Sequence, residues 1–403
     1  MMQKVIQWIS NYRFIWFLFT VTALVATSQS LFLHKKYLAG GFEYNSYNNY
    51  TIFKQSFYHL IDGKDIYFPY PLEHWDIFKY SPSFALLFGV FANLPDILGL
   101  ALWNLLNALI LVVAVYYLPQ LSSKQKGLVL MTCVIESMTA IQNEQSNGLI
   151  AGLIILAFGF CERKKFFMAT LCIVLTVYIK IFGLVAFAMF LFYPEKLKIG
   201  LYTLFWFVIL LFLPLVAIDL YQLKFLYRSW GRMLSQDHSY SQGLSVIGWL
   251  ESWFSIYANK AFIAITGATL LMITYLRLKM YSEYFFRLLA LTSILIWIVI
   301  FNHKAESPTF IIAMAGVSIW YFMRKRKWPD TVLFISAIIL TTLSPTDLFP
   351  SYLRKSYIEP YILKAVPCIF IWMKIIYEMI IFKTWKPENR ETGEQDGLTI
   401  FTP

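Results

Sequence analysis

The sequence predicts an all-α integral membrane protein with about twelve transmembrane helices. Three observations carry that expectation. The 403 residues are 59% hydrophobic and only 14% charged, too little charge for the surface of a water-soluble domain. Apolar runs of about 20 residues, the length that crosses a bilayer core, recur along the whole chain. Lys and Arg gather in the short segments between alternate runs, as they do in cytoplasmic loops. That distribution also accounts for the net charge of +11, so a nucleic-acid partner is not expected.

The elements follow in order. Lys4 and Arg13 precede the first run, 14–33, and set the N-terminus inside. No small-residue cleavage site follows this run, so it reads as a span rather than a removed signal peptide. A wet, aromatic segment, 34–95, comes next as the first outer loop. Its last piece, 82–94, begins at Pro82, stops before Pro95, and is short for crossing. It reads as an interfacial or re-entrant helix. Spans are then expected at 97–118, 127–141, 149–162, 166–180, 181–194 and 199–218, before a second outer loop, 219–258. Five more follow at 261–276, 285–301, 308–323, 331–346 and 361–382. This count leaves Lys124 and Lys126, Arg163 to Lys165, Lys196 and Lys198, Arg277 and Lys279, and Arg324 to Lys327 on the inner side. Counting 82–94 as a span would invert several of these clusters. Residues 1–383 form a single polytopic domain. The polar tail 384–403 carries Pro and Gly, and is expected to be cytoplasmic and disordered.

The polar stretches assigned outside are 34–81, 142–148, 219–258, 302–307 and 347–360, so most of the unusual side-chain chemistry faces one side. Cys133, Cys161, Cys172 and Cys368 lie in or beside spans without metal-ligand spacing and read as core packing. Lys180 stands at the outer apex of the 166–180/181–194 hairpin, where it meets a phosphate head group or simply snorkels. His303, Lys304 and Glu306 follow a span directly, as a reactive group or an interfacial one. Arg228 and Arg232 in the second outer loop suit a phosphate or an acceptor. Glu73, His74 and Asp76 form either a reactive set or a surface network. Their spacings do not resemble a closed metal site, and neither metal nor cofactor is expected.

Several segments together resemble glycosyltransferase family 87, polytopic GT-C enzymes that use polyprenyl-phosphate sugars. They are Gly63 to Tyr67, Tyr80 to Pro82, Leu94-Pro95, Trp103 with Asn107, the outer turn with Gln145 and Asn147, and the Lys180 hairpin. The resemblance covers roughly residues 10–330, through motifs individually weak but correctly ordered. It implies a GT-C-like fold and transfer of mannose or a similar hexose, with inversion, from a polyprenyl-phosphate donor to a lipid or glycan acceptor. The reaction would run at the outer face of a bacterial inner (plasma) membrane, among membrane lipids, with both termini cytoplasmic. Tyr80, Gln145, Asn147 and Lys180 become substrate-binding candidates, joined by Arg228, Arg232 and Lys304.

One departure matters. The family's early acidic position aligns with Asn49, and an amide is no general base. Asn49 is then left to orient an acceptor hydroxyl, and the base falls to Glu43, Glu73, Asp76 or Glu306. Glu43 and Asp76 rank slightly ahead. The competing class is a transporter or a non-catalytic protein that handles lipid-linked intermediates. It should line several spans with polar residues near the midplane. Glu136, Lys374 and Glu378 are the few deep candidates, and no internal repeat is evident, which favours the enzyme.

Overall fold

The computed structural model describes residues 10–33, 43–236 and 243–383, together with Trp8 and the backbone of 36–37. The expected tail, 384–403, lies outside these residues. Helices make up most of the described chain; one short antiparallel pair, β1 (Lys36–Tyr37) and β2 (Glu43–Tyr44), opens the first polar loop.

Helices α1 (Tyr12–Phe32) and α2 (Asn48–Ile61) come first. Two short helices, α3 (Pro82–Leu87) and α4 (Gly89–Ala92), occupy the segment read as too short to cross. Ser81 caps α3 by accepting the Phe84 N–H, and Pro82 sits at its first turn, where a missing N–H costs nothing. Then come α5 (Asp96–Tyr116), α6 (Ser123–Gln142), α7 (Asn147–Cys161) and α8 (Phe166–Ile179). A capping box between Ser122 and Gln125 starts α6. Ile181–Phe192 is a 3₁₀-helix, followed by α9 (Lys196–Phe212).

The segment expected as the loop 219–258 holds two helices, α10 (Leu220–Gln236) and α11 (Val246–Phe254). The remaining elements are α12 (Lys260–Tyr275), α13 (Tyr284–Ile300), α14 (Phe310–Phe322), α15 (Trp328–Ser336), the short α16 (Ser351–Leu353) and α17 (Val366–Ile380). A π-helix, Ala337–Leu343, continues α15. Three helical stretches among the described residues are long and apolar enough to cross a membrane: Tyr12–Phe32, Asp96–Tyr116 and Lys196–Val216. Others, such as Asn147–Cys161 and Tyr284–Ile300, are apolar but shorter.

α7 and α14 form the centre. Both are apolar all round and buried on nearly every face, as a helix surrounded by other helices must be. α7 packs on α5 and α8, and α14 packs on α13 and α6. Glycine lets α7 approach α5: a Cβ on Gly148 would sit 2.5 Å from the Asn107 carbonyl oxygen. α9 is the opposite case. It exposes Leu204, Phe205, Val208, Ile209 and Phe212, a surface that lipid would cover.

The three charged residues expected to lie deep, Glu136, Glu378 and Lys374, each have an ion-pair partner. Lys364 donates to Glu136 at 2.6 Å, with 3% and 0% of the side chains exposed. Glu378 takes Arg326 at 2.8 Å, and Lys374 lies 3.5 Å from Asp330.

Candidate active site

The first polar loop folds around an aromatic core. Phe53 of α2 meets Phe78, Tyr80, Phe84, Phe88 and Trp103, with ring centroids 4.8 to 6.5 Å apart. Tyr80 stacks on Phe84 at 4.8 Å, and its carbonyl accepts the Tyr67 hydroxyl at 2.8 Å. The loop is thus a packed layer that fixes the Tyr80 ring. Burial is the main reason the Tyr80 phenol is pushed up from its usual value, and Glu306 and Asp76 lie near enough to add to the shift.

The turn between α6 and α7 is anchored from beneath. Glu144 adopts a left-handed backbone (φ +48°). Its carbonyl accepts the Trp103 indole N–H at 2.8 Å, and its buried carboxylate accepts the Ser30 hydroxyl at 2.8 Å. Asn107 accepts the Leu149 N–H at 3.0 Å. Helices α1 and α5 therefore hold the turn that presents Gln145 and Asn147.

Lys180 is the single residue between α8 and the 3₁₀-helix. Its backbone is extended (φ −142°, ψ 124°), which breaks the helix and turns the side chain towards the amide turn. The ammonium donates to Asn147 Oδ1 at 2.9 Å and approaches Gln145 Oε1 at 3.5 Å. It also lies 5.8 Å from the centre of the Tyr80 ring. Asn147 Nδ2 donates to Gln145 Oε1 at 2.7 Å, and Gln145 Nε2 donates to Glu306 Oε2 at 2.9 Å. Glu306 caps the turn Ser307–Thr309 through a reciprocal pair of bonds with Thr309. Gly243 and Leu244 press on the 302–306 turn, with the Leu244 N–H on the Ala305 carbonyl at 2.8 Å. A Cβ on Gly243 (φ +58°) would meet the His303 carbonyl oxygen at 2.6 Å.

One cluster therefore joins Lys180, Asn147, Gln145, Glu306 and Tyr80, brought from four separated stretches of the chain. The other sequence candidates distribute around it. Asn49 Nδ2 donates to the Asn143 carbonyl at 2.8 Å, on the same amide turn. His303 and Lys304 are half-buried in the turn that carries Glu306. Asp76 pairs with Lys79 at 2.9 Å, and Lys79 is near enough to repel Lys180. Glu73 pairs instead with His59 at 2.9 Å. Glu43 is exposed on β2, across from Tyr37. Arg228 and Arg232 are exposed on α10, whereas Ser229 and Trp230 of that helix reach Asp65 and the Lys79 carbonyl. His59 and His74 are both held below the usual imidazole pKa, burial being the largest cause.

Sequence reasoning did not single out Glu144 or Lys79. Glu144 stands next to Gln145 in the amide-rich turn, so the motif contained the signal. Among the described residues no group of three or more His, Cys, Asp or Glu side chains could hold a metal ion.

This arrangement sets a cation, two amides, a phenol and a carboxylate side by side, a set suited to binding an anion and moving a proton. The sequence model of glycosyltransferase family 87 matches residues 78–345. Asn49 and the Gly63 to Tyr67 segment precede that span, while Tyr80, Gln145, Asn147, Lys180 and Glu306 fall within it. No curated protein matches the chain. An integral-membrane character, a glycosyltransferase match over more than half the sequence and a polar cluster inside that match agree: the chain belongs to glycosyltransferase family 87.

Proposed function

We propose that this protein is a GT-C hexosyltransferase that moves a mannose-like sugar from a polyprenyl-phosphate donor to a lipid or glycan acceptor, with inversion. The observation that carries the reading is Lys180. Its ammonium touches amide oxygens and no carboxylate directly, so its charge remains available to a phosphate. In the proposed reaction Lys180 binds the donor phosphate, and Gln145 and Asn147 hold the lysine in place. Glu306 takes the proton from the acceptor hydroxyl. The hydroxyl oxygen attacks the anomeric carbon as the bond to the phosphate oxygen breaks on the opposite face. The electron pair leaves with polyprenyl phosphate, whose charge Lys180 offsets. Tyr80 supplies an aromatic wall, and Asn49, beside Asn143, orients the acceptor.

Glu306 is preferred to Glu43, Glu73 and Asp76 because it is the carboxylate bonded to Gln145. Asp76 is the next choice, close to Tyr80 but already paired with Lys79. The topology that goes with this reading has about twelve spans, both termini in the cytoplasm of a bacterial cell and the reacting cluster on the outer face. Two experiments test the proposal. Purified protein incubated with polyprenyl-phosphate hexoses and candidate acceptors should release free polyprenyl phosphate; no release with any sugar would contradict it. An impermeant thiol reagent should label cysteines placed at positions 64 and 326 from opposite sides of the membrane. Labelling of both from one side would overturn the topology.

A further inference from the structure

Sugar transfer from a lipid phosphate changes the charge of that phosphate. In a polyprenyl-phosphate hexose the group is a diester with a single negative charge. As the bond from the anomeric carbon to the phosphate oxygen breaks, the electron pair stays on that oxygen. The group becomes a monoester, which carries a charge of about −1.5 to −2 at neutral pH. Lys180 matches the charge present at the start. A second cation, placed where the new charge develops, would favour the transition state over the bound donor.

Lys79 stands in that place. The Ser81 N–H donates to the Tyr178 carbonyl at 3.3 Å. This bond ties the stretch 79–81 to the end of α8, with Lys79 two residues before it on one strand and Lys180 two residues after it on the other. The backbone at Lys79 is fixed: the Trp230 indole donates to the Lys79 carbonyl at 3.3 Å, and the Tyr67 hydroxyl to the Tyr80 carbonyl at 2.8 Å. The ring of Tyr80, next to Lys79 in sequence, is centred 5.8 Å from the Lys180 ammonium. The two ammonium groups are near enough to repel each other, a repulsion that a shared anion relieves.

The Lys79 side chain is held loosely by comparison. Its ammonium pairs with Asp76 Oδ2 at 2.9 Å, and the two side chains are 41% and 45% exposed. An ion pair so open to water is weak, so a phosphate oxygen can replace Asp76 at little cost. Asp76 stays behind, because its other oxygen accepts the Ile77 N–H at 2.8 Å.

We infer that Lys79 is a second phosphate cation of this site, paired with Asp76 while the donor is bound and passing to the leaving phosphate as its second charge appears. The inference rests on the proposed reaction and divides the work of the two lysines. Lys180 holds the phosphate throughout, whereas Lys79 acts on the monoester and on the transition state that leads to it.

The test is equilibrium binding of two ligands to the purified full-length protein: a polyprenyl-phosphate hexose, and free polyprenyl phosphate at about pH 8, above the second phosphate pKa of about 6. Lys79→Met should weaken free polyprenyl phosphate about tenfold, the worth of one charged hydrogen bond, and the sugar-bearing diester by less than about twofold. Lys79→Arg should recover part of the loss. In turnover, Lys79→Met should lower kcat by a similar factor with the donor KM little changed. Equal weakening of both ligands in Lys79→Met, or weakening of neither, overturns the inference. So does the same selective loss in Lys304→Met with none in Lys79→Met. Lys180→Ala should weaken both ligands; if it weakens neither, the proposed reaction fails instead, so the two failures are told apart.

Discussion

Two lysines of this protein, half-buried Lys180 and fully buried Lys364, are partnered in opposite ways. Lys364 meets the Glu136 carboxylate at 2.6 Å and the Thr341 carbonyl at 2.9 Å. Its charge is matched on the spot. Lys180 meets the Asn147 and Gln145 oxygens, and the nearest acidic group, Glu306, is reached only through Gln145. Amide oxygens position an ammonium without neutralising it. One lysine is therefore a structural pin between α6 and the segment before α17, and the other carries a charge that no carboxylate contacts directly, the one assigned to the donor phosphate in the proposed reaction. Burial of a cation alone does not mark a functional residue; the nature of its partners does.

The widest separation between the two regions is expected at Glu306. Glu306→Gln keeps the shape of the cluster and removes the base, so turnover should fall by about 10²–10⁴-fold with donor binding nearly unchanged. Steady-state kinetics beside a donor-binding assay would measure both; full turnover in Glu306→Gln, with a loss in Asp76→Asn instead, would move the base to Asp76. Asn49→Asp, which restores the acid expected from the family resemblance, sharpens the same point. If turnover appears only in that variant, the chain is a lapsed transferase.

Lys364→Met should be the next largest change, and it concerns stability rather than chemistry. It strands Glu136 in the interior at a cost of about 3–5 kcal/mol. Lys364→Met with Glu136→Gln together should recover part of that loss, since no charge then remains buried. Thermal unfolding in detergent would check this. Lys180→Met should lower Tm far less, because Lys180 has no ion-pair partner at contact distance.

The smallest expected effect is a pH response of the first polar loop. Burial holds His59 and His74 below their ordinary pKa, so over that interval the unfolded chain binds more protons than the folded one. The stabilisation is present at neutral pH and is lost as pH falls below about 6.5, the unfolded imidazole value. His74→Phe should flatten the acid limb of a Tm-against-pH curve; an unaltered limb would remove His74 from this account.

Much of the fold was legible because membrane helices announce themselves. The stretches 97–118 and 285–301 are helices α5 and α13, shifted by a residue or two, and of the two α5 is long and apolar enough to cross a membrane. The segment 219–258 was not legible, because α10 is polar overall. Its buried residues Leu223, Leu226 and Met233 follow helical spacing rather than a continuous apolar run. The hairpin residue Lys180 and the amides Gln145 and Asn147 were readable as motifs. Which carboxylate meets the amide turn was not. Glu43 is favoured by its closeness to Asn49 and Asp76 by its place just before the Tyr80–Pro82 helix start, whereas Glu306 bonds Gln145 across 161 positions. Such pairing is set by how α6, α7 and the 302–306 turn pack, which no local pattern encodes.

Binding of the donor to Lys180 variants tests the central claim most directly. Affinity for a polyprenyl-phosphate hexose should fall about 30–100-fold in Lys180→Ala, the worth of one charged contact to phosphate, and Lys180→Arg should recover part of it. Unchanged donor affinity in Lys180→Ala, in a protein that unfolds at the wild-type temperature, would contradict the account.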